Sequence, residues 1–287
     1  MIILNMNLEH ISLITTKVVL LNDDNTISQG TGFYYALQEE ESTNAILFLI
    51  TNYHVLTGSP PQENKEPKGN NIIFSFHKDK NNIGSIKNIR FPLFTKQNKP
   101  VWISSKDFPD ADVAVIPLIS SIYQDCKIYA INEDWIKASV KLRPTSTITL
   151  VGYPYGYADD TYALPIWKTG SIASEPNINF EGKPLFVVDV SAFPGMSGSP
   201  TFAVSYGTYE SEDGNTVAGG VQKFLGVYAS MQMLHEKKYL EELQTNKGII
   251  LSQSLELGHI WKAQLIIDMV KSIDVEQYEN EIIKNIQ

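Results

Sequence analysis

Residues 195–200, which read GMSGSP, place one serine between two glycines and end in a proline. Glycine and proline in such a cluster are typical of a tight turn rather than of a helix or a strand. The glycine two residues before Ser197 lets backbone N–H groups turn toward one point beside an exposed hydroxyl. A serine nucleophile and its oxyanion-binding amides need this geometry. The turn indicates catalysis only if a histidine and an acid lie upstream in suitable settings.

A histidine follows an apolar run in residues 48–56, FLITNYHVL. The run predicts a strand that ends in a small polar turn carrying His54, and residues 30–35 (GTGFYY) predict another strand before it. A histidine at the end of a buried strand can be held rigidly while its ring takes up and returns a proton near neutral pH. The alternative is a structural histidine that caps the strand.

An acid opens the apolar run in residues 110–118, DADVAVIPL. Asp112 directly abuts the hydrophobic residues, so its carboxylate is expected at the mouth of a strand, where it could orient an imidazole. Asp110 competes for this role, because residues two apart point to the same face of an extended segment. An ordinary turn aspartate at the start of a strand is the plainer alternative.

The order of His54, Asp112 and Ser197, each in its local setting, resembles that of the chymotrypsin-like (trypsin-like) serine peptidases. Residues 151–156 (VGYPYG), 164–174 (LPIWKTGSIAS) and 188–197 (VDVSAFPGMS) are similar to bacterial stand-alone trypsin-like peptidase domains. The resemblance covers roughly residues 10–235. It implies that His54 is the general base, Asp112 its orienting acid and Ser197 the nucleophile, with the amides of Gly195 and Ser197 as the oxyanion hole.

Two positions depart from the digestive members of that family. An aspartate that pairs with a freshly cut amino terminus precedes their serine, whereas Met196 stands here. Activation by propeptide cleavage is therefore not expected. Ser199 stands where a glycine is usual, and it is the rival nucleophile that the turn offers.

The composition of the chain indicates which partners and which cellular compartment to expect. The chain has 287 residues with 23 basic and 32 acidic side chains, a net charge of −9. This balance argues against nucleic acid as substrate, because phosphate binding uses basic patches. A single cysteine, Cys126, excludes an internal disulfide and favours a reducing compartment. We expect a cytoplasmic enzyme without a membrane span, metal or cofactor, acting on protein or peptide.

Short apolar runs separated by turn residues predict an all-β fold. With the resemblance, this becomes two six-stranded antiparallel β-barrels with a C-terminal α-helical segment. We expect a barrel with His54 and Asp112 over residues 1–135, a barrel with Ser197 over 136–235, and a helical extension over 236–287 packed on the barrels. Within that extension, 236–244 are charged and 251–273 carry apolar residues close to a 3.6-residue period. Residues 208–220 are expected to form a loop.

Substrate preference is inferred from the resemblance alone. The residue six before the nucleophile lies at the base of the specificity pocket in this family, and here it is Ser191. A neutral base favours a small or apolar substrate side chain over arginine or lysine. Residues 225–231, with Tyr228, Ala229 and Ser230, are expected to pair with an extended peptide substrate.

Two functions of different classes remain at this point. One is a serine endopeptidase that forms an acyl-enzyme through Ser197. The other is a catalytically silent or gated protease-like binding module that acts in a protein complex. Bacterial stand-alone relatives are often effectors of multi-gene systems, including antiphage defence, so the resemblance also implies a regulatory protein partner.

Overall fold

A computed structural model describes residues 8–38, 45–79, 82–159, 161–239, 248–278 and 284, and for 230–255, 275 and 276 it describes the backbone. These residues are mostly β and form two antiparallel bodies in sequence order, which confirms the expected fold class. None of the helices in the described ranges is long and apolar enough to cross a membrane.

The first body is a six-stranded antiparallel sheet with the strand order β5-β4-β1-β2-β3-β6. Its strands are β1 (Thr15–Asn22), β2 (Asn25–Gln38), β3 (Ala45–Thr51), β4 (Asn71–Asp79), β5 (Asn82–Pro92) and β6 (Ala114–Leu118). The segment after β5 connects the two edge strands of this sheet, β5 and β6. Val101 N donates to Leu93 O just after β5, and Ile103 forms a β-bridge with Val115 of β6. The cluster inside is rich in aromatic rings, such as Tyr34 stacked on Phe76.

The second body is a closed barrel of six strands in the order β10-β13-β14-β9-β8-β7. Its strands are β7 (Thr147–Gly152), β8 (Ile166–Ile172), β9 (Leu185–Asp189), β10 (Pro200–Ser205), β13 (Val221–Tyr239) and β14 (Gly248–Lys262). The expected loop at 208–220 instead contains a small hairpin, β11 (Thr208–Glu210) with β12 (Thr216–Ala218). Residues 216–218 (TVA) provide the β-branched residues that a short strand favours.

The prediction of a helical extension over 236–287 is wrong for residues 236–239 and 248–262. Residues 236–239 belong to β13, and 248–262 form β14, which pairs with β13 on one side and β9 on the other. The apolar residues at 255, 257 and 261 also fit a period of two, and pairing on both edges satisfies the backbone in a strand. Residues 240–244, also expected to be helical, lie outside the described part of the chain.

The helical prediction is correct for the segment that follows β14. Helix α3 (Ala263–Lys271) buries Leu265, Ile266, Met269 and Val270, the C-terminal part of the apolar pattern predicted over 251–273. Helix α4 (Val275–Tyr278) comes next, and the buried Tyr278 hydroxyl donates to Val101 O of the first body at 2.6 Å. The C-terminal helices therefore contact both bodies.

The two bodies share one apolar cluster. Phe33 of β2 lies 5.4 Å from Phe224 of β13, centroid to centroid, and Phe224 lies 5.7 Å from Phe202 of β10. Side chains of α3 and of the short helix α1 (His10–Ile14) complete this cluster. Strands of the first body end at Leu118 and those of the second begin at Thr147, on either side of the expected division at residue 135.

Candidate active site

His54 lies on a five-residue helix, α2 (Tyr53–Thr57), which starts two residues after β3 ends. Its Nδ1 is 2.6 Å from Oδ2 of Asp112, and its backbone N–H donates to Oδ1 of the same carboxylate at 3.0 Å. The Asp112 side chain is 11% exposed and the His54 side chain 29%. An acid held at both oxygens by one residue fixes the plane of the imidazole ring and turns Nε2 outward.

The structure discriminates between the two candidate acids. Asp112 is buried two residues before β6 begins, whereas Asp110 is exposed and is contacted at its backbone carbonyl by Gln62. The side-chain amide of the fully buried Asn52 donates to the carbonyl O of Asp112 at 2.6 Å. Asn52 therefore ties the segment before His54 to the segment of its acid.

Ser197 lies in the turn that precedes β10. Gly195 and Gly198 on either side adopt φ values of +94° and +87°, a region that only glycine enters without strain. The Ser197 side chain is part-exposed, and its hydroxyl donates to Ala229 O at 3.3 Å. Among the described residues this is the hydrogen bond of the Ser197 hydroxyl; His54 is not its partner.

Gly30 of β2 is the shared neighbour of the histidine and the serine. A Cβ built on Gly30 would stand 2.6 Å from Cγ2 of Val55 and 3.1 Å from the carbonyl O of Ser197. Val55 directly follows His54, so one backbone position contacts both the histidine helix and the serine turn. The structure thus pairs His54 with Asp112 and places the serine turn and the His54 helix on the same residue of β2.

Some backbone N–H groups of this turn are hydrogen-bonded, and two have no acceptor among the described residues. The N–H of Met196 donates to Phe193 O, that of Gly198 to Tyr228 O and that of Ser199 to Met196 O. The N–H groups of Gly195 and Ser197 find no acceptor in the ranges that the structure describes. Two free amide donors beside a part-exposed hydroxyl can bind a developing oxyanion.

Ser199 does not share this setting. It is fully buried, and a Cβ built on Gly152 would stand 2.1 Å from its Oγ. Its hydroxyl has no partner among the described residues. A buried hydroxyl of this kind has no access to a peptide bond.

The four residues expected to bind substrate have different surroundings. Ser191 is exposed just after β9, whereas Tyr228 and Ala229 on β13 are buried. Ser230 follows in the same strand, and its side chain lies outside the described set. The Tyr228 ring lies against Gly258 of β14, where a Cβ would stand 2.3 Å from Cε2, and burial raises the pKa of the Tyr228 hydroxyl.

Thr31 and the 153–156 turn contact the serine turn and were not recognised from the sequence. The Thr31 hydroxyl donates to Gly195 O at 2.8 Å, and Tyr155 N donates to Pro194 O at 2.5 Å. The glycines that flank Thr31 were the available signal, since glycine often marks a close backbone approach. No signal in the sequence pairs Thr31 with residue 195.

Two further histidines are largely buried, and one of them, His259, lines the same cavity as Asp112 and Ala229. His259, expected on a helix, sits in β14, and burial lowers the pKa of its imidazole. Burial likewise lowers the pKa of His77 in β4. Within the described residues, no group of three or more histidine, cysteine, aspartate or glutamate side chains could hold a metal ion.

Comparison with known proteins finds one matching family. The sequence model of the trypsin-like peptidase domain matches residues 30–208, well over half of the chain. This range contains His54, Asp112 and Ser197. No curated protein matches the chain.

Similar solved structures include three bacterial or microbial proteases. The inactive form of the Rv3671c protease from M. tuberculosis is 15% identical, with 92% of this chain and 90% of that chain covered and a TM-score of 0.44. A serine endoprotease from Yersinia pestis is 12% identical (94% and 64% covered, TM-score 0.44). The thermostable serine protease AL20 from an extremophilic microorganism is also 12% identical (92% and 98% covered, TM-score 0.46).

Proposed function

Because the chain belongs to the trypsin-like peptidase family, we propose that it is a serine endopeptidase with His54, Asp112 and Ser197 as its catalytic triad. The observation that carries this proposal is the double contact of Asp112 with the Nδ1 and the backbone N–H of His54. A carboxylate in that position favours the tautomer with a proton on Nδ1. The Nε2 lone pair is then available to accept the serine proton.

The proposed reaction runs through an acyl-enzyme. Ser197 Oγ attacks the carbonyl carbon of the scissile peptide while His54 Nε2 takes its proton. The N–H groups of Gly195 and Ser197 hold the oxyanion that forms on the carbonyl oxygen. The C–N bond breaks as His54 protonates the leaving amine, and a water molecule activated by His54 then hydrolyses the ester and releases the acid product.

The resting serine must move for this reaction. Its hydroxyl donates to Ala229 O at 3.3 Å, so rotation about the Cα–Cβ bond has to bring Oγ to His54. Catalytic hydrogen bonds are often long or misaligned without substrate and tighten when it binds. The silent or gated binding module remains the alternative, and it differs in that this rotation never becomes productive.

We place the substrate along β13. Pairing of β13 with β10 ends at Val227. From Ala229 onward the strand pairs with β14 on one side, and among the described residues no strand pairs with its other side, which is therefore available to an extended peptide. Backbone pairing of this kind is a common mode of peptide recognition. The neutral Ser191 and the large ring of Tyr228 against Gly258 favour a small or apolar residue before the cleaved bond.

The cellular role is proposed on the resemblance to bacterial stand-alone relatives. We infer a cytoplasmic enzyme, consistent with the single free Cys126, whose activity a regulatory protein partner controls. An effector role in antiphage defence is one form of such control. Neither nucleic acid nor a membrane takes part in this proposal.

Cleavage of internally quenched peptides tests the proposed activity. The wild-type protein should cut internal bonds in a mixed peptide library, alone or after addition of cell lysate, while Ser197→Ala in the same lysate should not. Mass spectrometry of the fragments distinguishes internal cleavage from trimming at the ends. Equal cleavage by both proteins, or none by either with and without lysate, would reject an endopeptidase.

A further inference from the structure

Thr31 connects the first body to the serine turn of the second. It is fully buried on β2, and its backbone N–H donates to Ser197 O at 2.8 Å. Its hydroxyl donates to Gly195 O at 2.8 Å and accepts from Tyr153 N at 3.1 Å. A hydroxyl has one proton to donate, and with Tyr153 N–H on its acceptor side that proton goes to Gly195.

The held carbonyls determine where the free amides point. A peptide unit is planar, with its C=O and N–H directed oppositely, so fixing the carbonyl oxygen fixes the N–H of the next residue. Tyr155 N holds Pro194 O, which directs the Gly195 N–H away from the 153–156 turn. Ser199 N holds Met196 O in the same way, which directs the Ser197 N–H.

The Gly195–Met196 peptide lies between these two units and is held at both of its polar groups, by the Thr31 hydroxyl at Gly195 O and by Phe193 O at the Met196 N–H. Gly195 has a φ of +94°, and glycine has ready access to other conformations that would turn its N–H away. Met196 is fully buried among apolar side chains and brings no charge that could hold the turn. In the described structure, the hydrogen bond to Gly195 O comes from the Thr31 hydroxyl.

We propose that Thr31 is a positioning residue of the oxyanion hole. Its hydroxyl holds the Gly195–Met196 peptide while Tyr155 N holds the Pro194–Gly195 peptide, and the two together keep Gly195 in the conformation that presents its N–H to the substrate carbonyl. This inference rests on the proposed function, because it assigns a purpose to the same turn. In this proposal the first body positions the oxyanion-binding N–H of Gly195 and also carries the general base and its acid. The hole is therefore assembled by folding, with no new chain terminus required.

Matched substitutions separate the hydroxyl from the bulk of the side chain. Thr31→Val keeps the shape and removes the hydroxyl, and Thr31→Ser keeps the hydroxyl. Thr201→Val is the control, since Thr201 is also fully buried and its hydroxyl has no partner among the described residues. Loss of one oxyanion donor typically lowers kcat about 100- to 1000-fold, so loss of its positioning group should lower kcat by about 10- to 1000-fold.

The readouts are kcat, KM and inhibition by a peptide aldehyde, whose adduct with serine places an oxygen in the hole. Thr31→Val should lose kcat and aldehyde affinity by similar factors with KM changed less than about threefold, because the interaction forms in the transition state. Thr31→Ser and Thr201→Val should stay within about threefold of wild type. Should Thr31→Val not fold, Thr31→Cys against Thr31→Ser makes the same comparison, since a thiol is a weak donor.

Wild-type kcat and aldehyde inhibition in the variant that lacks the hydroxyl would overturn the positioning role. So would equal losses in Thr31→Ser and Thr31→Val. A wild-type protein that does not react with a fluorophosphonate probe, even in lysate, would instead reject the proposed function, and the role of Thr31 with it.

Discussion

Gly198 packs so closely against Thr31 that a Cβ on Gly198 would stand 1.9 Å from the carbonyl O of Thr31. The contact joins the residue after Ser197 to the first body, and it involves backbone on both sides. Gly198 also has a φ of +87°. The serine turn therefore depends on a position where space and backbone conformation both demand glycine.

Gly198→Ala should destabilise the protein by more than the conformational cost of a left-handed alanine, which is about 1–2 kcal/mol. Gly207→Ala is the matched control, because Gly207 has a φ of +101° and open space around its Cα. Urea unfolding followed by tryptophan fluorescence measures both variants. Equal losses of unfolding free energy would show that the contact with Thr31 adds nothing.

Asp112→Asn should lower kcat about 10⁴-fold without unfolding the protein, because an amide does not hold the required imidazole tautomer. Asp110→Asn is the control, since the exposed Asp110 side chain lies outside the proposed site. Steady-state hydrolysis of a peptide ester at neutral pH measures both. A loss at Asp110 comparable with that at Asp112 would contradict the assignment of the acid.

Stability should fall as the pH falls below about 6.5, in part because of His77 and His259. Burial lowers the pKa of both imidazoles. At His77 the hydrogen bond to Ile83 O partly offsets this decrease. At His259 the charge of Glu181 raises the pKa and that of Lys183 lowers it further. Below the ordinary imidazole pKa the unfolded chain binds more protons than the folded one, which favours unfolding. The loss of unfolding free energy increases as the pH falls, until the pH lies below the folded-state pKa values of both imidazoles.

The double variant His77→Gln/His259→Gln should weaken this pH dependence. Carboxylates contribute to acid unfolding in both proteins, so the informative quantity is the difference between wild type and variant. Urea unfolding at pH 7.5 and pH 5.5 provides it. An unchanged slope of unfolding free energy against pH in the variant would rule out the two buried histidines as its source.

Ser191→Asp should shift preference toward lysine or arginine before the cleaved bond, because it places a carboxylate at the proposed base of the pocket. We expect the ratio of kcat/KM for a lysine substrate to that for an alanine substrate to rise at least tenfold, or about 1.4 kcal/mol. Ser191→Asn, of the same size without the charge, should leave the ratio near its wild-type value. A ratio unchanged in both variants would remove Ser191 from the pocket.

The local settings of His54, Asp112 and Ser197 were readable from the sequence because each depends on its own segment. A strand that ends at a polar turn, an acid next to an apolar run and a serine between glycines need no partner to be recognised. The local pattern also indicated which of Asp110 and Asp112 is buried, since the residue beside the apolar run is the one with the buried side chain, and its role as the acid stays a prediction.

Contacts between distant segments were not readable in this way. Thr31 and Gly195 are 164 residues apart, and no local pattern links a strand threonine to that turn. The apolar residues of 251–262 fit the 3.6-residue period that predicts a helix, but they also fit the period of two of a strand, and pairing with β9 and β13 selects the strand. Tertiary pairing decides such ambiguous segments.

The most direct test of the central claim is to locate the adduct of a fluorophosphonate probe. The purified protein, alone and with lysate, is treated with the probe, digested and mapped by mass spectrometry, with His54→Ala and Ser197→Ala in parallel. We predict one adduct on Ser197 in the wild type and none in either variant. An adduct on Ser199 or elsewhere, persistence of labelling in Ser197→Ala, or no adduct under either condition would contradict Ser197 as the nucleophile.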